Sequence, residues 1–178
     1  MAVRSTAEAI KRSAQDPLGI YLNDHLAGST AGVELARRMA TGGNLPADGE
    51  TLQRLATEVA EDRAALIDIM RLLGVPVRNY KVAAAWAGEK VGRLKPNGRL
   101  RTRSPLSNLV ELEAMALGVQ GKLQGWRTLR AQADSDPRLD AARLDELCDR
   151  AIRQADTLEG LRSRAAAYVI ASAGAARD

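Results

Sequence analysis

The chain's single histidine, His25, and one aspartate, Asp62, fall where the hydrophobic pattern calls for apolar side chains. Around Asp62 the sequence reads Leu52, Leu55, Val59, Asp62, Leu66, Ile69, Leu73, in alternating steps of three and four. Around His25 it reads Leu18, Leu22, His25, Ser29, Gly32, Ala36, Met39. An imidazole and a carboxylate on the inner faces of two helices can pass a proton, hold a cation or satisfy one another. Left unpaired in a core, either is costly. If the two segments form an antiparallel hairpin, His25 and Asp62 are offset by roughly 4 to 5 Å along the axis. They are therefore expected to form a polar core pair.

A second group, Glu58, Glu113 and Arg162, lies at the edges of three apolar stripes. Arg162 is expected to neutralise the two carboxylates. The alternative is a carboxylate-rich site for iron or manganese made from His25, Asp62, Glu58 and Glu113. Other chemistry is poorly supplied. One cysteine excludes an internal disulfide and a Cys-based zinc site, and Cys148 falls on an apolar stripe, so it reads as a small hydrophobe. The glycines lack the spacing of a phosphate-binding loop. Ser29 lies one turn from His25, but no oxyanion hole or substrate cleft is evident for a hydrolase. No catalytic residue is assigned, and the expectation leans against an enzyme. No cofactor is expected, with iron or manganese as the alternative.

Four long helices must position these residues. Asp16-Pro17, Ser104-Pro105 and Asp136-Pro137 repeat one signature, a capping oxygen followed by proline at the first helical position, and Asp48 is a further cap. Gly42-Gly43 and Gly74 mark stops. The reading is helices over about 17–41, 49–73, 105–133 and 137–173, in one domain spanning 1–178. Small residues on the first and last helices should let those two approach closely. The first and second helices, and the third and fourth, are joined by short turns and should be antiparallel hairpins. Between them lies a crossover, 75–104, with a short helix from Asn79 to about Leu94, anchored by Trp86, and a turn at Lys95-Pro96-Asn97-Gly98. A connection of that length can run the bundle's full height and make the third helix parallel to the second.

The 178 residues are 46% hydrophobic and 27% charged, the proportions of a globular chain. There is no apolar run long enough to cross a membrane and no apolar signal segment at the start, so a cytoplasmic location is expected. The basic excess is local. Pro76 to Arg103 carries eight cations and one acid, while the rest of the chain holds 18 basic and 21 acidic residues. Arg93, Lys95, Arg99, Arg101 and Arg103 form a basic patch that would suit nucleic acid, phosphate or an acidic partner, or simply keep a linker solvated.

Helix lengths and loop pattern over Pro17 to Gly174 make the layout similar to the ferritin-like superfamily. That resemblance implies an all-α fold, a four-helix bundle with a long crossover between the second and third helices. The family's di-iron site takes one Glu from each of two helices and a Glu-x-x-His motif from each of the others. Here the corresponding stretches are Glu58-Val59-Ala60-Glu61 and Glu159-Gly160-Leu161-Arg162, neither with histidine. The di-iron ligands are therefore not carried over. The functional expectation is a metal-free ferritin-like bundle with an interaction or structural role, forming a homodimer through a helix face. The alternatives are a degenerate metal-binding or oxidase-like protein and a nucleic-acid binder using the basic crossover.

Overall fold

The computed structural model describes residues 17–42, 48–78 and 105–174. These form four α-helices: α1 (Pro17–Thr41), α2 (Gly49–Leu72), α3 (Pro105–Ala133) and α4 (Ala141–Gly174). No strand occurs among the described residues. None of their helices is long and apolar enough to cross a membrane. The short crossover helix, Trp86 and the basic patch Arg93, Lys95, Arg99, Arg101 and Arg103 lie outside the described residues.

Helix direction follows from which ends share a core. One apolar cluster gathers Leu22 and Leu26 from the start of α1 with Ile69 and Met70 from the end of α2. The same cluster takes Leu129 from late α3 and Leu144 from early α4. A second cluster joins Met39, Leu52, Leu112 and Leu161 from the opposite ends. So α1 and α2 are antiparallel, α3 and α4 are antiparallel, and α2 runs parallel to α3. The chain leaves α2 at one end of the bundle and re-enters α3 at the other. Backbones approach closely between α3 and α4, between α1 and α2, and to a lesser extent between α1 and α3. The expected close approach of the first and last helices is not among these contacts. Gly28, Ser29, Ala31 and Gly32 of α1 instead line a space bordered by α2 and α3.

The stripe on α1 is also rotated from its expected position. Leu18 is 40% exposed, and the buried residues include Leu22, Leu26, Val33 and Ala36. Leucine and valine outbid histidine and glycine for the inner face because they bury more apolar area.

Two helix ends are built as the pattern implies, and two are not. Gly74, at φ 70°, closes α2. Its N–H bonds to Arg71 O at 3.0 Å and the Val75 N–H to Met70 O at 2.8 Å, the two bonds of a Schellman motif. Thr41 ends α1 just before the glycine pair. The fourth helix, however, starts at Ala141 rather than Pro137. Asp136 accepts the Arg138 N–H at 3.1 Å within a turn, and Arg138 holds its carboxyl down at about 2. The cap is Asp140, whose Oδ1 accepts the Arg143 N–H at 3.0 Å. Asp48 precedes α2 without making a side-chain cap bond, and its Oδ1 pairs with Arg164 Nη2 at 2.5 Å.

Asn23 is buried and ties the exit from α2 to α1. Its Nδ2 donates to Gly19 O at 2.6 Å and to Pro76 O at 3.2 Å, and its Oδ1 accepts the Arg78 N–H at 3.0 Å. From the α3–α4 turn, Arg138 Nη1 donates to Leu73 O at 3.2 Å.

Candidate functional site

The two apolar clusters are separated by a polar level. On α2, Asp62 lies between Val59 of one cluster and Leu66 of the other. On α4, Gln154 lies between Ala151 and Leu158, and on α3 Lys122 lies between Val119 and Trp126. Asp62 and Gln154 are each only 2% exposed.

Asp62 does not pair with His25. Lys122 Nζ donates to Asp62 Oδ2 and to Gln154 Oε1. Gln154 Nε2 donates to Glu58 Oε2 at 2.9 Å and to Asp62 Oδ2 at 3.2 Å. Arg150 Nη2 lies 2.5 Å from Asp62 Oδ1, a charge contact whose angles fall outside those of a hydrogen bond, while Nη1 reaches Glu61 at 2.9 Å. Two cations thus hold the buried carboxylate. Lysine and arginine win over histidine because their long side chains reach the centre from α3 and α4 and their ordinary pKa values lie far above that of imidazole. Burial pushes the Lys122 ammonium below its ordinary value, and Asp62 pulls it back up.

Lys122, Arg150 and Gln154 were not singled out from the sequence, although two of them leave a trace there. Leu112, Met115, Val119, Lys122, Trp126 and Leu129 form one alternating three-four stripe, and Leu144, Leu147, Ala151, Gln154, Leu158 and Leu161 form another. Each stripe is interrupted once by a polar residue, as Asp62 interrupts that of α2.

His25 belongs to a different feature. Helices α1, α2 and α3 border a cavity of about 550 Å³. Gly28 and Gly32 line it from α1, Gly118 and Gly121 from α3, and Asp62 and Lys122 from its polar side. Half-buried His25 also lines it and meets Tyr21 edge to face, with ring centroids 4.5 Å apart and planes at 63°. The ring rests against Gly125, where a Cβ would stand 3.1 Å from its Cε1 and Nδ1. Tyr21 in turn donates to Thr128 Oγ1 at 3.1 Å, joining α1 to α3. Burial lowers the His25 pKa, opposed by the nearby charge of Asp24.

The other expected groupings separate. Glu58 joins the Asp62 network, Glu113 is exposed and acts on Arg162 only through its charge, and Arg162 binds Glu159 on its own helix through two 2.7 Å bonds. Arg162 is committed locally because a partner one turn away is reached with less loss of side-chain freedom than one on another helix. His25, Asp62, Glu58 and Glu113 therefore do not converge. Among the described residues no three His, Cys, Asp or Glu side chains lie close enough to hold a metal ion. The Lys122 and Arg150 charges at Asp62 would repel an entering cation. Cys148 packs beside the first cluster, and burial raises its thiol pKa, which leaves it a poor nucleophile.

No protein-family model matches the chain, and no curated protein or solved structure matches it.

Proposed function

We propose that this chain is a ferritin-like bundle whose centre holds an ion network in place of metal ligands, and that it works by binding rather than by catalysis. The parallel course of α2 and α3 supports the layout. The observation that carries the functional reading is the double claim on Asp62: Lys122 and Arg150 neutralise the carboxylate a metal would need. A fixed ammonium and guanidinium make the centre self-sufficient, so the bundle needs no bound cation to fold.

The test is elemental analysis after incubation with excess Fe²⁺ or Mn²⁺ and removal of unbound ion. The expected result is no stoichiometric metal, in wild type and in Asp62→Asn alike. One metal per chain in wild type, lost in Asp62→Asn, would replace this reading with a metalloprotein.

A further inference from the structure

We infer that the cavity between α1 and α3 binds an elongated apolar carboxylic acid, its carboxyl end at Lys122 and His25 and its body along the glycine-lined walls. Three observations carry this. The first is the space itself. At about 550 Å³ it lies within the range of small-molecule sites. Its lining runs from Tyr21 to Leu35 on α1, about 21 Å of helix at 1.5 Å per residue, so the occupant is long rather than round. Leu35, Val59, Leu66, Met115 and Val119 supply apolar surface.

The second is the glycines. Glycine inside a helix is unfavourable relative to alanine and usually answers to a packing need. At Gly125 the need is visible in the His25 ring. At Gly28, Gly118 and Gly121, all exposed along the open side of the cavity, a Cβ would meet nothing within 4 Å among the described residues. The room they leave has no user among those residues. A ligand lying against bare backbone would use it.

The third is the set of donors at one place. An ammonium has three N–H groups, and Lys122 donates to Asp62 and Gln154, leaving one. The His25 imidazole makes no hydrogen bond among those the structure gives for the described residues, and it lines the same cavity. Trp126, whose buried indole N–H also lacks a partner there, borders it too. Donors in an apolar groove call for an acceptor. A carboxylate accepts from both Lys122 and His25. An alkylammonium has nothing to accept with and meets the Lys122 charge, while Asp62 on the same polar side is already matched by two cations, Lys122 and Arg150. Asp24 at the rim is exposed, so solvent screens its repulsion of the carboxylate. This inference stands apart from the metal question, since neither result of the elemental analysis alters the cavity.

The probe is dodecanoate, titrated calorimetrically into delipidated full-length protein below the micellar range, beside 1-dodecanol and dodecylammonium. The expected result is one dodecanoate site per chain, with dodecylammonium at least tenfold weaker. Gly118→Leu fills the cavity from α3 and should weaken dodecanoate at least tenfold, with helicity and melting temperature maintained. Gly28→Leu does the same from α1. In Asp62→Leu/Lys122→Met, which removes both charges together, dodecanoate should lose its advantage over dodecanol. The inference is overturned by absence of dodecanoate binding, by equal or tighter binding of dodecylammonium, or by binding that both leucine variants leave unchanged.

Discussion

Lys122 Nζ donates to Asp62 Oδ2 across the middle of the bundle, joining α3 to α2 between two separate apolar clusters. The two helices are parallel and share no turn, so this contact and its neighbours Arg150 and Gln154 connect what chain connectivity leaves apart. Its energetic character follows from burial. Removing Lys122 alone leaves the buried Asp62 carboxylate short of a partner. Lys122→Met should therefore destabilise by about 3–5 kcal/mol, as should Asp62→Leu. The double variant Asp62→Leu/Lys122→Met should recover most of that loss, because apolar side chains of similar volume replace the pair. Urea denaturation of the four proteins gives the coupling energy. Additive losses would show that the pair does not act as a unit.

The glycines of α3 divide into two kinds. Gly118→Ala and Gly121→Ala place a methyl group in open space and should each stabilise by roughly 0.5–1 kcal/mol, the helix-propensity gain. Gly125→Ala should show no such gain, because His25 must shift to admit the Cβ. In a His25→Ala background the Gly125→Ala gain should reappear. Thermal melts of the single and double variants measure both effects.

His25 sets a pH dependence with a defined sign. Burial holds its pKa below the ordinary 6.5, so between that value and its lower folded pKa the unfolded chain binds the proton and the folded chain does not. Stability therefore falls as pH drops through this window. The melting temperature of wild type should decrease more between pH 7.5 and 5 than that of His25→Gln. Asp136 and Glu159, each held down at about 2 by a neighbouring arginine, act only lower. Their contributions are present above pH 4 and are lost as pH falls towards 2.

The start of α4 can be located by truncation of side chains. Asp140→Ala removes a cap bond and should cost about 1 kcal/mol. Asp48→Ala breaks only a surface pair with Arg164 and should cost less than about 1 kcal/mol. Equal losses would mean that Asp48 caps α2 in solution.

The four long helices and most of their boundaries were legible because proline, glycine and the three-four spacing are local signals. Gly74 shows this best: it needs left-handed backbone, and it ends α2 where the pattern stops. Pro137 misled because Asp-Pro suits both a helix start and a turn, and Asp140 three residues later made the better cap. Asp62 was visible as a polar residue in an apolar stripe. Its partners were not, since a carboxylate in a stripe says nothing of which helix answers it. Lysine at 122 sits beside Leu123, so a one-residue rotation of α3 hides it from the stripe. His25 looked central for the same reason: a rotation of α1 turns it from the core into the cavity.

Asn23 settles a matter that its own helix does not contain. By accepting from Arg78 and donating to Pro76, an amide of α1 decides the heading on which the backbone departs from α2. The outward path of the second helix, as far as Arg78, is thus tied to the first.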